Sequence, residues 1–429
     1  MDDTGTRMHA LCRRLFPICR SITGNGLRES LAILKTHLPG MTIHEVPSGT
    51  ACFDWTVPME WNVRDAFIID PDGSKICDFH QSNLHVVGHS TPVDKTVPLE
   101  TLQAHLHSLP DQPDAIPYVT SYYNPAWGFC ITHNNRKKLR DGDYRVYIDS
   151  DLKNGFLTYG ELIIPGRSLR EVFLSTYLCH PSMANNELSG PVVTTFLANW
   201  LSGRDNNFTY RIIFIPETIG AIAYLSANLP EMKKNIVAGF NITCIGDDRG
   251  YSFLPSRKGG TLADRAALHV LRNTQPAYTH YSFLDRGSDE RQYCSPGVDL
   301  PICSIMRTKY GCYPEYHTSL DNLDLVTPTG LYGGYQVLRK TLKIIESNMV
   351  PQATTLCEPQ LGARGLYPLL SQKNSGNGVR EMLNLLAYSD GNADLIEIAE
   401  ILGKPAWELL DAVTLLKNHG LIENTQRGA

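Results

Sequence analysis

Two histidines, His180 and His317, and a small set of carboxylates each stand just past the end of an apolar stretch. His180 follows an apolar, β-branched run at 172–176. It opens the loop Pro181-Ser-Met-Ala-Asn-Asn-Glu187, which leads into a second apolar run. Glu217 follows the run at 212–215, within Pro216-Glu-Thr-Ile-Gly220, and Asp247 and Asp248 follow 242–245, within Ile245-Gly-Asp-Asp-Arg249. His317 lies in Glu315-Tyr-His-Thr-Ser-Leu-Asp321, beyond the run at 302–306. Zinc takes imidazole nitrogen and carboxylate oxygen. It lowers the pKa of its water and polarises a carbonyl, and a carboxylate off the metal can act as general base. Each residue also has a plainer use: a hydrogen-bonded structural histidine, Glu187 or Glu217 as acids at a helix start, Asn185 and Asn186 as turn or capping residues. Recurrence at four comparable points favours a site.

For these residues to meet, their apolar runs must be neighbouring strands. From Glu171 onward strands alternate with helices: 172–176 then a helix over 188–201, 211–215 then a helix over 218–227, a strand at 236–244, a helix near 262–272, a strand at 302–306 and a helix over 330–347. That alternation predicts an α/β fold with a doubly wound, mostly parallel sheet, whose ligands bind outside the carboxyl ends of the strands. Residues 7–38 read as helical, with Leu27, Leu31, Leu34 and Leu38 at helical spacing and a break at Gly24-Asn-Gly26. Between 41 and 165 short strand candidates (42–46, 66–69, 84–87, 144–148, 157–164) alternate with turns such as Pro71-Asp-Gly73. The aromatics Trp55, Trp61, Tyr118, Tyr122, Tyr123, Trp127 and Phe129 suit the core of a small β domain, with one helix near 99–107. Residues 351–373 read as a linker, and helices at 378–387, 394–402 and 407–419 resemble a winged helix.

With 429 residues, 42% hydrophobic content and a net charge of −5, the chain suits two or three globular domains and shows no basic stripe for nucleic acid. Residues 378–429 carry only Arg380, Lys404, Lys417 and Arg427 as basic groups, so nucleic acid is not expected as a partner of the tail. A protein-contact role, by packing or oligomerisation, is expected instead. The 11 cysteines include no C-x-x-C pair and read as reduced thiols. The first apolar stretch is interrupted by Arg13, Arg14 and Arg20 and is not read as a signal peptide; no run has membrane-spanning length. A soluble, cytoplasmic protein without membrane partners is expected. No G-x-S-x-G elbow, nucleophilic cysteine signature or dinucleotide fingerprint appears.

The order of His, Asn-rich loop, Glu, Asp and Tyr-His-Thr resembles the co-catalytic zinc aminopeptidases. The phrases Trp61-Asn-Val-Arg-Asp65, Asn83-Leu-His-Val-Val-Gly88, His105-Leu-His-Ser-Leu-Pro110 and His180-Pro-Ser-Met-Ala-Asn-Asn-Glu-Leu-Ser-Gly190 are similar to an aminopeptidase-like domain family. That family is often found with polysaccharide and natural-product biosynthesis genes. The resemblance covers nearly the whole chain and implies an aminopeptidase core (1–59 and 151–350), an inserted β domain (60–150), a linker (351–373) and a winged helix (374–429). It implies His180 and His317 as metal ligands and Glu217 as general base. The bridging aspartate of the wider family falls on Asn186, which cannot bridge two cations, and its ligand glutamate falls on Thr218. One zinc is therefore expected rather than two, completed by Glu187 or, second, Asp247.

The expected activity is zinc-dependent hydrolysis of an amide or peptide bond, on a small-molecule or peptide substrate with a free amine. Asp289, in Gly287-Ser-Asp-Glu-Arg291, is expected in a polar loop that binds the amine. Asn186, Arg249, Tyr316 and Asp321 are expected to line the substrate, with Asp321 also able to orient His317. Two other readings stay open: an amidase for a sugar or natural-product intermediate, and a non-catalytic binding protein with a degenerate metal site.

Overall fold

In the computed structural model, residues 3–122, 124–366 and 377–425 are described. Eight strands form one mixed sheet: β1 (Thr42–Pro47), β2 (Phe156–Ile164), β3 (Ser168–Tyr177), β4 (Phe208–Ile215), β5 (Ile236–Asn241), β6 (Ser252–Leu254), β7 (Thr279–His280) and β8 (Ile302–Met306). Their order is β1-β2-β4-β3-β5-β8-β6-β7. The central four run parallel, while β1 and β2 extend one edge antiparallel and β6 joins β8 antiparallel on the other. Strands buried on both faces need near-continuous apolar sequence, and Val172, Phe173 and Leu174 of β3 are all at 0% exposure. β6 and β7 were not foreseen; at two or three residues they are too short to show a period.

The helices α1 (Thr4–Leu15), α2 (Asn25–His37), α3 (Ser189–Ser202) and α4 (Ile219–Asn235) pack with this sheet. A π turn at Ala184–Leu188 precedes α3. A Cβ on Gly190 would lie 2.3 Å from the Ile242 carbonyl, so only glycine lets α3 start this close to the sheet. α4 runs past the stop expected before Pro230. Burial of Met232 in the core carries it on at the cost of one backbone hydrogen bond.

The insert is built on the long antiparallel pair Glu60–Ile69 and Asp143–Lys153, flanked by Lys75–Ile76 and Val93–Pro98. Trp61 and Phe129 sit in its own core. Tyr118 packs on a second small cluster of the insert, Leu84, Val87, Ile116 and Cys130, and Tyr122 meets His89 edge-on at 4.7 Å. Tyr123 lies outside the described residues. The segment expected as a strand at 84–87 begins as a 3-10 turn, Asn83–His85, closed by His85 Nδ1 to the Cys130 carbonyl at 2.7 Å. The helix near 99–107 stops at Gln103, and Leu106–His107 pairs with Phe129–Cys130.

The chain divides into two compact units, one of Met1–Ala263 and Ala277–Gln336, the other of Asp264–Pro276 and Val337–Ala429. The second contains helices Asn377–Ala387, Leu395–Leu402 and Leu410–Asn418 and the strand pair Pro351–Ala353 with Ile422–Asn424. The expected linker thus begins with a strand that pairs with the chain end. Residues 367–373 of it lie outside the described part. Most of the helix foreseen near 262–272 belongs to this unit: His269 Nδ1 is 2.6 Å from Glu400, its Nε2 accepts from Ala406 N at 2.8 Å, and Arg265 meets Asp394 at 2.6 Å. Among the described residues no helix is long and apolar enough to cross a membrane, and all 11 cysteines are free.

Candidate metal centre

β3 delivers His180 three residues beyond its end, into the first parallel crossover. Arg20, buried, donates from Nε to the His180 carbonyl at 3.0 Å. His180 Nδ1 lies 2.7 Å from Glu187 Oε2. The other Glu187 oxygen accepts the Cys179 backbone N–H. The ring is therefore fixed by its Nδ1, and Nε2 faces away, 3.7 Å from Glu217 Oε2. Burial opposes charging the ring, but Cys179 and Glu187 beside it outweigh that and raise its pKa well above the ordinary value.

The His317 ring lies 5.3 Å from the His180 ring, centre to centre. That spacing lets both face one ion at zinc–nitrogen distances of about 2.0–2.1 Å. His317 has φ +56, a left-handed conformation rare outside glycine. The insert holds it there: Tyr118 N donates to the His317 carbonyl at 2.9 Å, and Ser319 N to the Ile116 carbonyl at 2.9 Å. The Tyr118 ring sits 5.1 Å from His180 and 5.3 Å from His317. Tyr316 stacks on His317 at 3.9 Å. Burial, and then the charge on His180, push the His317 pKa down to about 3, so its ring is neutral.

Glu217 lies two residues past the end of β4 and is partly exposed, its side chain at 21%. Burial of its carboxyl raises its pKa. Asp289 lies beneath it, at 0% exposure, taking the Thr218 N–H at 2.7 Å. Burial and the Glu217 charge raise Asp289 well above the usual carboxylate range. Asp289, expected in a polar loop that binds the amine, is thus a buried group with the Glu217 charge beside it.

Several expected site residues are engaged elsewhere. Asp247 accepts from Asn185 Nδ2, Arg249 N, Thr308 N and the Thr308 hydroxyl, all within 3.0 Å, which spends both its oxygens on joining two loops. Arg249 forms a two-pronged ion pair with Glu315 at 2.8 and 2.6 Å. Asp321 is fully buried and accepts the backbone N–H groups of Ala184, Asn185 and Asn186, capping the turn before α3 rather than orienting His317. Glu187 serves the Nδ1 side of His180, with Arg20 Nε 3.9 Å away as its counter-charge. Cys179, His180 and Glu187 do bring three ligand atoms within 4.8 Å, but that buried arginine already supplies the positive charge a cation would bring. Asn186 donates from Nδ2 to the Tyr177 hydroxyl at 2.8 Å, which a carboxylate could not do.

In this region two buried polar atoms lack protein partners among the described residues: His317 Nε2 and Asn186 Oδ1, the latter on a side chain bonded to Tyr177, whose ring adjoins His180. Buried polar atoms are normally paired. The two imidazoles are ligands of the kind zinc takes, and Glu217 stands beside His180 Nε2 as a carboxylate that can stay off the metal, so the residues fit such an ion. Sequence reasoning gave no site role to Arg20, Tyr118 and Arg291, whose partners lie far away in the chain.

Residues 9–348 match the family model described as "Domain of unknown function (DUF4910)", and 349–424 match "winged helix-turn-helix". A Clostridium acetobutylicum protein named for polysaccharide biosynthesis and an aminopeptidase-like domain is 44% identical over 425 residues, covering 97% of each chain. A crystal structure from Clostridium acetobutylicum, named as a peptidase, is 42% identical with a TM-score of 0.93, over 99% of this chain and 97% of that one. A zinc aminopeptidase from Bacillus subtilis shares the fold at 11% identity, with a TM-score of 0.58 over 80% of this chain and 94% of that one. The chain therefore belongs to the DUF4910 family, with an aminopeptidase-like α/β fold followed by a winged helix.

Proposed function

We propose that the protein is a zinc-dependent amide hydrolase with His180 and His317 as metal ligands and Glu217 as general base. The observation that carries this reading is the convergence of the two rings, 5.3 Å apart, with Glu217 Oε2 3.7 Å from His180 Nε2. Bound zinc would supply Lewis acidity and a water of lowered pKa. Glu217, with its raised pKa, takes the proton of the attacking water and returns it to the leaving nitrogen. Glu187 and Arg20 keep the His180 ring in place, while Tyr118 and Tyr316 keep His317 in place. Asn186 at the bridging position and Thr218 at the second glutamate position support one ion rather than two.

Replacing Glu217 with Gln keeps the carboxylate's shape and removes its basicity. We expect zinc content by elemental analysis to persist and turnover to fall by about 10²-fold or more; full activity in E217Q refutes the role. The name of the 44% identical relative supports a sugar-linked amide as substrate, so the assay panel includes N-acyl amino sugars beside aminoacyl amides. The same two replacements, at Asn186 and Thr218, also support a non-catalytic reading, which purified protein without stoichiometric metal would favour.

A further inference from the structure

Substrate must approach Glu217 from its solvent side, and that side carries a cation. Thr218, next in the chain, has φ +64, and its hydroxyl accepts from Arg291 Nη2 at 2.6 Å. Arg291 is exposed. Among the described residues its guanidinium has no carboxylate within 4.0 Å. Three other arginines of this unit, by contrast, are held by carboxylates: Arg249 by Glu315, Arg257 by Asp299, and Arg211 by Glu161, Glu171 and Glu231. The acids just before it in the chain, Asp289 and Glu290, are both at 0% exposure and out of a ligand's reach. A guanidinium offers five N–H donors in a planar fork that matches oxyacids, and the Thr218 hydroxyl uses one.

We infer that Arg291 receives an anionic oxyacid group, carboxylate or phosphate, carried by the substrate next to the bond that Glu217 attacks. This rests on the hydrolase reading for the meaning of substrate, and it replaces the expected free amine. An ammonium would meet a guanidinium that, among the described residues, no carboxylate neutralises. An oxyanion would meet a charge-assisted donor already held in place by Thr218. The neutral hydroxyl at Thr218 is what allows this: a carboxylate at that position would pair with Arg291 and cancel it.

The test measures binding, not turnover. The full chain, zinc-free and zinc-loaded, is titrated calorimetrically with N-acetyl-L-alanine, its neutral amide, and glycerol 1-phosphate. We expect at least one anion to bind about tenfold or more tightly than the amide, and the stronger of the two anions identifies the oxyacid. R291A and R291Q should abolish the preference, and R291K should restore part of it. Equal binding of all three ligands, none detectable included, overturns the proposal. So does a preference that persists in both R291A and R291Q, which would mean that Arg291 only balances the Glu217 charge or that the anion goes to the metal. An E217Q variant that stays fully active sinks the hydrolase reading while leaving this binding result standing.

Discussion

At His180 two glutamates act on opposite ring nitrogens. Glu187 on Nδ1 is closed in by Arg20 and the Cys179 N–H, whereas Glu217 near Nε2 reaches solvent. On the proposed reading the first orients the ring and the second moves protons. We expect Glu187→Gln to weaken zinc binding about 10- to 100-fold in a competition titration against a chromophoric chelator. It should also lower stability in urea unfolding by about 3 kcal/mol, because the buried Arg20 loses its counter-charge. At this scale the sequence displays the reactive types, His180, His317 and Glu217, but not which carboxylate serves which nitrogen. Glu187 lies seven residues from His180, a spacing with no fixed geometry outside a regular helix, and the intervening π turn decides it.

The insert is tied to the large sheet at both its ends and at the site. Where it leaves and rejoins, Glu60 accepts from Arg28 Nη1 at 2.9 Å, Asn62 Nδ2 at 3.0 Å and Phe156 N at 3.1 Å. The Arg28 hydrogen bond, against the effect of burial, holds the Glu60 pKa down at about 2. The native state then binds fewer protons than the unfolded one between pH 4.5 and 2, so this stabilisation is full above pH 4.5 and lost as pH falls toward 2. Glu60→Gln should cost about 2 kcal/mol near neutrality and flatten the acid side of the stability profile, read by thermal unfolding against pH. An unchanged profile would exclude this cluster as an acid-sensitive clamp. The strand–helix alternation was legible because buried parallel strands need continuous apolar runs. The Tyr118 segment was not, because its partners are the backbone of 317–319, some two hundred residues away.

For the whole molecule, a winged helix follows an enzyme-like core. DNA binding by such a module relies on neutralising phosphates, and the tail has few basic groups to do so. Lys404 is already paired with Glu381 at 2.9 Å; Arg427 lies outside the described residues. The full chain should show no salt-dependent binding to duplex DNA at about 50 mM salt by fluorescence anisotropy, a condition under which phosphate-contacting proteins bind strongly. Measurable binding that falls steeply with salt would overturn the protein-contact role. The second unit also draws in 264–276 and the strand at 351–353, so a tail cut at 374 would lack both.

The amino-acid order alone determined the α/β alternation, the strand ends that carry His180 and Glu217 and the residue types of the candidate site, while the departures at Asn186 and Thr218 came from the family resemblance. The former follow from periodicity and residue chemistry, which are local. Only the folded chain decided that Asp247 and Asp321 bind loops, that Asp289 is buried, that the insert holds His317 at positive φ and that Arg291 meets the Thr218 hydroxyl but, among the described residues, no carboxylate. Each of these depends on which distant backbone N–H or side chain meets a given group, and hydrogen bonding across the fold leaves no periodic trace in the sequence.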